Sequence, residues 1–225
     1  MITNLWPTPV FNDVAPFSPE EIDRLAVFAK NERILFNADP IPHPVATFLP
    51  SQKLILNYQF SLLENDRELR APKYEWEKFK QYVDSCYRRY LAESYGLENT
   101  ADIKYVCRVI PVYQQPGERT LPHYHHTCDH VMCVYLKTGE NKAPLNSREY
   151  NRGDGELILC DPRAMASFPF WEKIKKYDPY PGFCVIHPSQ IWHETNTHHS
   201  DGDRILLVVT LRVESHNYKD LYQKL

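Results

Sequence analysis

From residue 103 onward the chain is a succession of short β-forming runs with nothing of helix length between them. IKYVCRVIPVYQQ, VMCVYLKT, GELILC, GFCVIHP and RILLVVTLRV are rich in β-branched and aromatic residues, and Pro, Gly, Asn and Asp separate them. Strands that follow one another without crossover helices pair antiparallel, so this half must bury itself as a sandwich or barrel. The first hundred residues read differently. Ser18, Pro19 and Glu21 form a helix start, with a capping hydroxyl, Pro at the first helical position and Glu three after the cap. Ile22, Leu25, Ala26 and Ala29 then recur at helical spacing, which predicts a helix over about 19–31. A second helix is predicted over 73–95, where Trp76, Phe79, Val83, Cys86, Tyr90 and Leu91 make one stripe and Gly96 terminates it. The expected fold class is α+β, mainly β, with the helices packed on the sheet. We read one domain over 1–225, with 1–100 as helical support and 101–215 as the β core. The stretches 141–155 and 162–182 read as long loops.

Composition narrows the function. The 26 basic and 29 acidic side chains leave a net charge of -3, and no segment carries the basic excess of a nucleic-acid surface. No apolar run approaches the ~20 residues that cross a bilayer. The N-terminus MITNLWPTPVF lacks the basic-then-apolar order of a secretory signal. Six cysteines without a CxxC pair read as free thiols in a reducing cytoplasm. The expected partners are therefore a small-molecule substrate, with no nucleic acid and no membrane; a homodimer stays open.

Histidine is the informative residue: eight of ten lie between His123 and His199. In LPHYHHTCDHVMCVYL, His123 and His125 are two apart at the mouth of a β-run, so on a strand both point to one face. His193 follows a second β-run. Imidazole ligands that leave coordination positions open suit non-haem Fe(II), where oxygen and a co-substrate bind beside the protein. His126 and His130 fall off that face and read as structural. His198 and His199, in THHSDGD, read as an exposed turn.

Two known patterns resemble this spacing. Gly117, His123, His125 and Asp129 are similar to the first cupin motif, with Asp in place of its usual Glu. Gly182, Pro188, His193 and Asn196 partly match the second. The wider likeness is to the 2-oxoglutarate-Fe(II) oxygenase family of phages and bacteria. Its Leu-Phe-Pro-Thr-Pro-like opening is echoed by Leu5-Trp6-Pro7-Thr8-Pro9, and its Asp-Pro-Arg by Asp161-Pro162-Arg163. Its closing Gly-x-x-x-x-Phe-Pro-Ser-x-x-x-His, followed by an Arg, resembles Gly182, Pro188, Ser189, His193 and Arg204. Both patterns imply a double-stranded β-helix, the jelly roll of cupin-like proteins, and a metal on His123, His125 and His193. The wider oxygenase superfamily implies a carboxylate where this chain has His125, so either the site is three histidines or Asp129 supplies a fourth ligand. A neutral three-His set leaves the metal more positive, which favours an anionic co-ligand such as a keto acid.

The resemblance also implies 2-oxoglutarate as co-substrate, its far carboxylate held by Arg204, eleven residues after His193. Arginine suits that task because its planar fork meets a carboxylate bidentately. Arg204, Leu206, Val208, Thr210 and Arg212 share one strand face, with Arg212 at the solvent end. Tyr113 resembles the tyrosine that prolyl-hydroxylase-like enzymes place before their first iron ligand and reads either as a second contact to the co-substrate or as an ordinary sheet aromatic; Tyr135 faces the same choice. Trp192 reads either as a pocket wall or as packing, and Arg163 as either a substrate contact or a salt-bridged turn. The leading reading is a mononuclear Fe(II) and 2-oxoglutarate-dependent dioxygenase, an oxidoreductase that hydroxylates a small molecule or peptide. The alternatives are a cupin-type metalloenzyme, a dioxygenase or isomerase, that uses no keto acid, and a non-catalytic jelly-roll metal-binding module.

Overall fold

The computed structural model describes residues 8–38, 60–61, 71–126, 128–140, 154–161 and 173–214. In chain order these form β1 (Phe11–Val14), α1 (Pro19–Ala38), β2 (Phe60–Ser61), α2 (Lys73–Tyr95), β3 (Tyr105–Gln114), β4 (His130–Glu140), β5 (Leu157–Cys160), β6 (Ile174–Tyr177), β7 (Phe183–Pro188), β8 (His193–Thr195) and β9 (Asp201–Val213). A six-stranded sheet runs β1-β7-β4-β9-β3-β2 and a three-stranded sheet runs β6-β5-β8. Every pairing is antiparallel. Two facing antiparallel sheets with helices on the outer side of the larger one give the jelly-roll architecture read from the sequence.

Alternation along the central strands sorts their side chains into two cores. Met132, Val134 and Leu136 of β4, with Ile205, Leu207, Val209 and Leu211 of β9, face the helices. Val131, Cys133 and Tyr135 of β4, with Leu206 and Val208 of β9, face the smaller sheet. The helical layer is built as its pattern predicts. Trp76, Phe79, Val83, Cys86, Tyr90 and Leu91 of α2 are all buried, and Trp76 stacks on Phe79 at 5.2 Å. Gly96 closes the helix in the left-handed region at φ 66°, where a side chain is strained, and its N–H donates to Ala92 O.

At the start of α1, the Glu21 N–H donates to Ser18 Oγ at 3.3 Å and the Ser18 N–H donates back to Glu21 Oε2 at 2.7 Å. These two bonds are the reciprocal cap that the sequence carries. The helix runs on to Ala38 rather than ending near 31. Its inward face there holds Glu32 and Arg33, 1% and 2% exposed, and polar side chains in that position interrupt the apolar period used to find the end.

The strands missed from sequence are the short ones. β1 alternates exposed and half-buried residues at the sheet edge, and β6, at the other sheet's edge, is mostly exposed, so neither shows an apolar run. β6 lies inside the stretch 162–182 that read as loop, while 141–153 and 162–172 fall outside the described residues. The N-terminal part is also more than a helical support, since β1 and β2 join the large sheet.

Leu207 is fully buried on the helix-facing side, with β4 and β3 on either flank. Leu207→Ala is expected to lower the unfolding free energy by about 2–5 kcal/mol, read from urea denaturation. A loss well under 1 kcal/mol would mean that this face does not pack beneath the helices.

Candidate metal centre

The segment leading into β4 lies beside β8 as an extra strand. The His123 N–H donates to His193 O at 3.0 Å and the His193 N–H donates to His123 O at 2.9 Å, a reciprocal antiparallel bridge. On either side of it, the Thr195 N–H donates to Thr120 O at 3.0 Å and the His125 N–H donates to Ser189 O at 2.9 Å. Residue alternation then turns His123 and His125 inward, while Tyr124 and His126 are exposed. The three imidazoles of His123, His125 and His193 meet: their ring centroids are 4.2 to 5.2 Å apart, and one nitrogen from each lies within 4.8 Å of the others.

The donor set fits a divalent transition metal. His123 Nδ1 is 2.8 Å from Leu121 O, and His193 Nδ1 is 2.9 Å from Ile191 O. A carbonyl can only accept, so each Nδ1 carries the proton and each Nε2 keeps a lone pair, the arrangement that fixes a metal-binding imidazole. His125 Nε2 is buried with no hydrogen-bond partner. Burial, disfavouring the charged ring, pushes His125 down to about 3, His193 well below the usual imidazole range and His123 below it. All three are neutral at physiological pH, as ligation requires.

Asp129 is not part of this cluster. Its Oδ2 accepts the Val213 N–H at 2.7 Å, its own N–H donates to Leu211 O, and its carbonyl accepts from Ser189 N. A carboxylate so engaged ties the head of β4 to the end of β9, and the four-ligand cupin arrangement falls away. His130 stands among the tyrosines of α2, 2.9 Å from both Tyr87 Oη and Tyr95 Oη. His198 corrects an expectation. Instead of lying in an exposed turn it is fully buried against Gly139, where a Cβ would come within 2.6 Å of His198 Cε1. His199 is exposed as expected. Trp192 neither lines the site nor packs in the core. It is 47% exposed, 5.2 Å from the half-exposed Tyr124 ring, on the opposite side of the His123–His193 bridge from the imidazoles.

On the inner face of the large sheet, the face turned toward the small one, stands Arg204, 1% exposed. Its Nη1 donates to Gln114 Oε1 at 2.6 Å, its Nη2 reaches Tyr135 Oη at 3.4 Å, and its guanidinium sits 5.1 Å over the Tyr135 ring. Its Nε has no partner, and among the described residues no carboxylate forms an ion pair with it. Gly155 backs it so closely that a Cβ would lie 3.2 Å from its Cδ and Nε. A buried guanidinium without a counter-charge is a place for an anion. Arg212, by contrast, is exposed.

Tyr113 is a correction. It neighbours Gln114 on β3, so alternation sends it to the helix-facing side, where Lys30 of α1 lies 4.8 Å over its ring and Gln115 Nε2 donates to its hydroxyl. Tyr135, with Gln114, holds the place that Tyr113 was expected to take. Gln114 was missed because a lone glutamine at a strand end carries no signal until its neighbour on β9 is known. Arg163 lies outside the described residues.

Residues 109–209, which span Gln114, the three histidines and Arg204, match the family model described as "Putative 2OG-Fe(II) oxygenase". That stretch, 101 of the 225 residues, is similar to the 2-oxoglutarate-Fe(II) oxygenase family. The family it resembles is one of oxidoreductases that use Fe(II) and 2-oxoglutarate. No curated protein matches the chain.

Solved structures share the fold. A Pseudomonas putida prolyl-4-hydroxylase is 12% identical with a TM-score of 0.54, over 92% of this chain and 88% of that one. AviO1 from Streptomyces viridochromogenes Tue57 is 10% identical with a TM-score of 0.55, over 92% and 91%. A prolyl hydroxylase from Trichoplax adhaerens, in complex with a hypoxia inducible factor oxygen degradation domain peptide fragment, is 14% identical with a TM-score of 0.51, over 91% and 84%.

The depressed imidazoles make stability depend on pH. Unfolded, they titrate near the ordinary 6.5. Folded, His125 stays neutral down to about 3, and His130 and the neighbouring buried His187 down to about 4. The stability they contribute is fully present above pH 6.5 and lost progressively as pH falls toward 4 and below, because the unfolded chain takes up protons that the folded one refuses. The urea midpoint of the metal-free protein should therefore fall between pH 7.5 and pH 5. An unchanged midpoint would contradict the burial of these rings.

Proposed function

We propose that His123, His125 and His193 hold Fe(II) and that Arg204 receives the far carboxylate of 2-oxoglutarate. On this reading the reaction is the hydroxylation of an unactivated C–H bond in a small molecule or peptide. The observation that carries the reading is the buried, uncompensated guanidinium of Arg204 on the inner face of the large sheet, the face turned toward the small sheet that carries the histidine triad. A metal held only by neutral imidazoles retains its full positive charge, so the site has two cationic centres and calls for a dianion that can reach both. 2-oxoglutarate has that form, with a chelating keto acid at one end and a carboxylate at the other.

Bound in this site, Fe(II) would supply dioxygen activation, coupled to the oxidative decarboxylation of 2-oxoglutarate to succinate and CO2. The protein's own part is to hold and to shield. The carbonyls of Leu121 and Ile191 fix the tautomer and tilt of two ligands. Gln114 and Tyr135 orient the Arg204 fork, leaving Nε and the remaining guanidinium protons for the anion. Val185, Leu206 and Val208 keep the space between the sheets apolar, which strengthens the carboxylate contact by excluding water. Two of the similar folds are described as prolyl hydroxylases, which supports hydroxylation as the outcome and a peptide or small molecule as substrate. Six free cysteines support a reducing, cytoplasmic setting.

Lysine cannot reproduce a guanidinium fork. Arg204→Lys is expected to weaken 2-oxoglutarate binding to the metal-loaded protein by roughly 10- to 100-fold, the worth of a charge-assisted hydrogen bond, with metal affinity unchanged. Tyr113→Phe, on the other face, should bind as wild type. Equilibrium dialysis with labelled 2-oxoglutarate checks both. Undiminished binding in Arg204→Lys, or loss in Tyr113→Phe, would contradict the assignment.

A further inference from the structure

Beside the triad stands a fourth inward imidazole that the site above does not use. His187 ends β7 directly across from Val131 of β4, and alternation places it on the inner face with Phe183 and Val185. It is fully buried, and its ring lies 4.8 Å from that of His193, tilted by 63°. Its Nδ1 is 2.8 Å from Pro188 O, so Nδ1 carries the proton and Nε2 holds a bare lone pair. That Nε2 is buried and finds no donor.

A buried acceptor left without a donor opposes folding, so such a group persists where something outside the chain supplies the donor. The lone pair is not placed as a fourth ligand: among the described residues, the group with nitrogens within 4.8 Å of one another is His123, His125 and His193.

We propose that His187 is a positioning residue whose Nε2 accepts a hydrogen bond from a water bound to the metal. A water on a divalent ion is polarised and donates strongly, and it is the donor that a lone pair beside the triad would meet. His187 thereby holds that water in one orientation at the open side of the site. This rests on the metal-centre reading above.

The test uses Zn(II), a diamagnetic probe, on protein labelled with nitrogen-15 at histidine. His187→Phe assigns the His187 resonances, and His187→Gln does so if the first variant folds poorly. On adding Zn(II), the Nε2 signals of the three ligands should move by the large amount that coordination causes. The His187 Nε2 signal should move upfield by the smaller amount of an accepted hydrogen bond. Zn(II) affinity of the variants should stay within about threefold of wild type, short of the 10- to 100-fold that an ordering partner of a ligand can cost. An unmoved His187 signal beside three shifted ligands would overturn the role of His187 and leave the metal centre standing. A coordination-sized shift at His187 would make it a ligand and overturn the proposal. No shift at any histidine would overturn the metal centre and the proposal together.

Discussion

Two reciprocal backbone hydrogen bonds, His123 N–H to His193 O and His193 N–H to His123 O, decide what this protein can hold. They join residues seventy apart in sequence into one antiparallel pair, and pairing fixes which side chains share a face. With that register, His123, His125 and His193 converge inward while Tyr124 and Trp192 turn out to solvent. A slip of one residue on either strand would reverse the arrangement, placing aromatic rings inside and dispersing the imidazoles. Neighbouring bonds from Thr195 to Thr120 and from His125 to Ser189 resist that slip from both directions. Asp129 adds a third tie by accepting the Val213 N–H at the far end of β9. A carboxylate that could have joined the cluster serves instead to hold the register of the three histidines.

The second constraint is the division of β4 and β9 into two faces. One face is apolar and closed by α1 and α2, and it supplies most of the burial that stabilises the chain. That frees the other face to carry groups that a core would not tolerate by itself: a bare guanidinium, unpartnered imidazole nitrogens and a buried tyrosine hydroxyl. Such groups oppose folding when they stand alone, and they are affordable because the stabilising layer lies on the other side of the same strands. Gly155 belongs to this arrangement, since any side chain there would crowd Arg204 at 3.2 Å.

Much of this was legible in the residues. The α2 stripe from Trp76 to Leu91 and its Gly96 stop repeat every 3.6 residues, and packing agrees with that period. Leu206 and Val208 share the inward face of Arg204 because β9 alternates in regular register with β3 over this length. The His-x-His spacing and the distal His193 read correctly as one cluster. Tyr113 misled because a tyrosine near a ligand in sequence says nothing of its face; one residue's offset from Gln114 put it against Lys30. His198 misled because a polar stretch reads as solvated, yet the left-handed Gly139 opens a place for its ring. His187 gave no signal at all inside an apolar run, since a histidine there is indistinguishable from core until its neighbours across the sheet are known.

All of these features support the proposal that the space between the two sheets binds Fe(II) and a keto acid together. Anaerobic titration of the metal-free protein, first with Fe(II) and then with 2-oxoglutarate, tests it by visible absorption. A weak charge-transfer band that appears only when both are present is the predicted result, because it requires the keto acid to chelate a metal with open positions. Iron uptake with no such band at saturating 2-oxoglutarate, or no iron uptake at all, would contradict it.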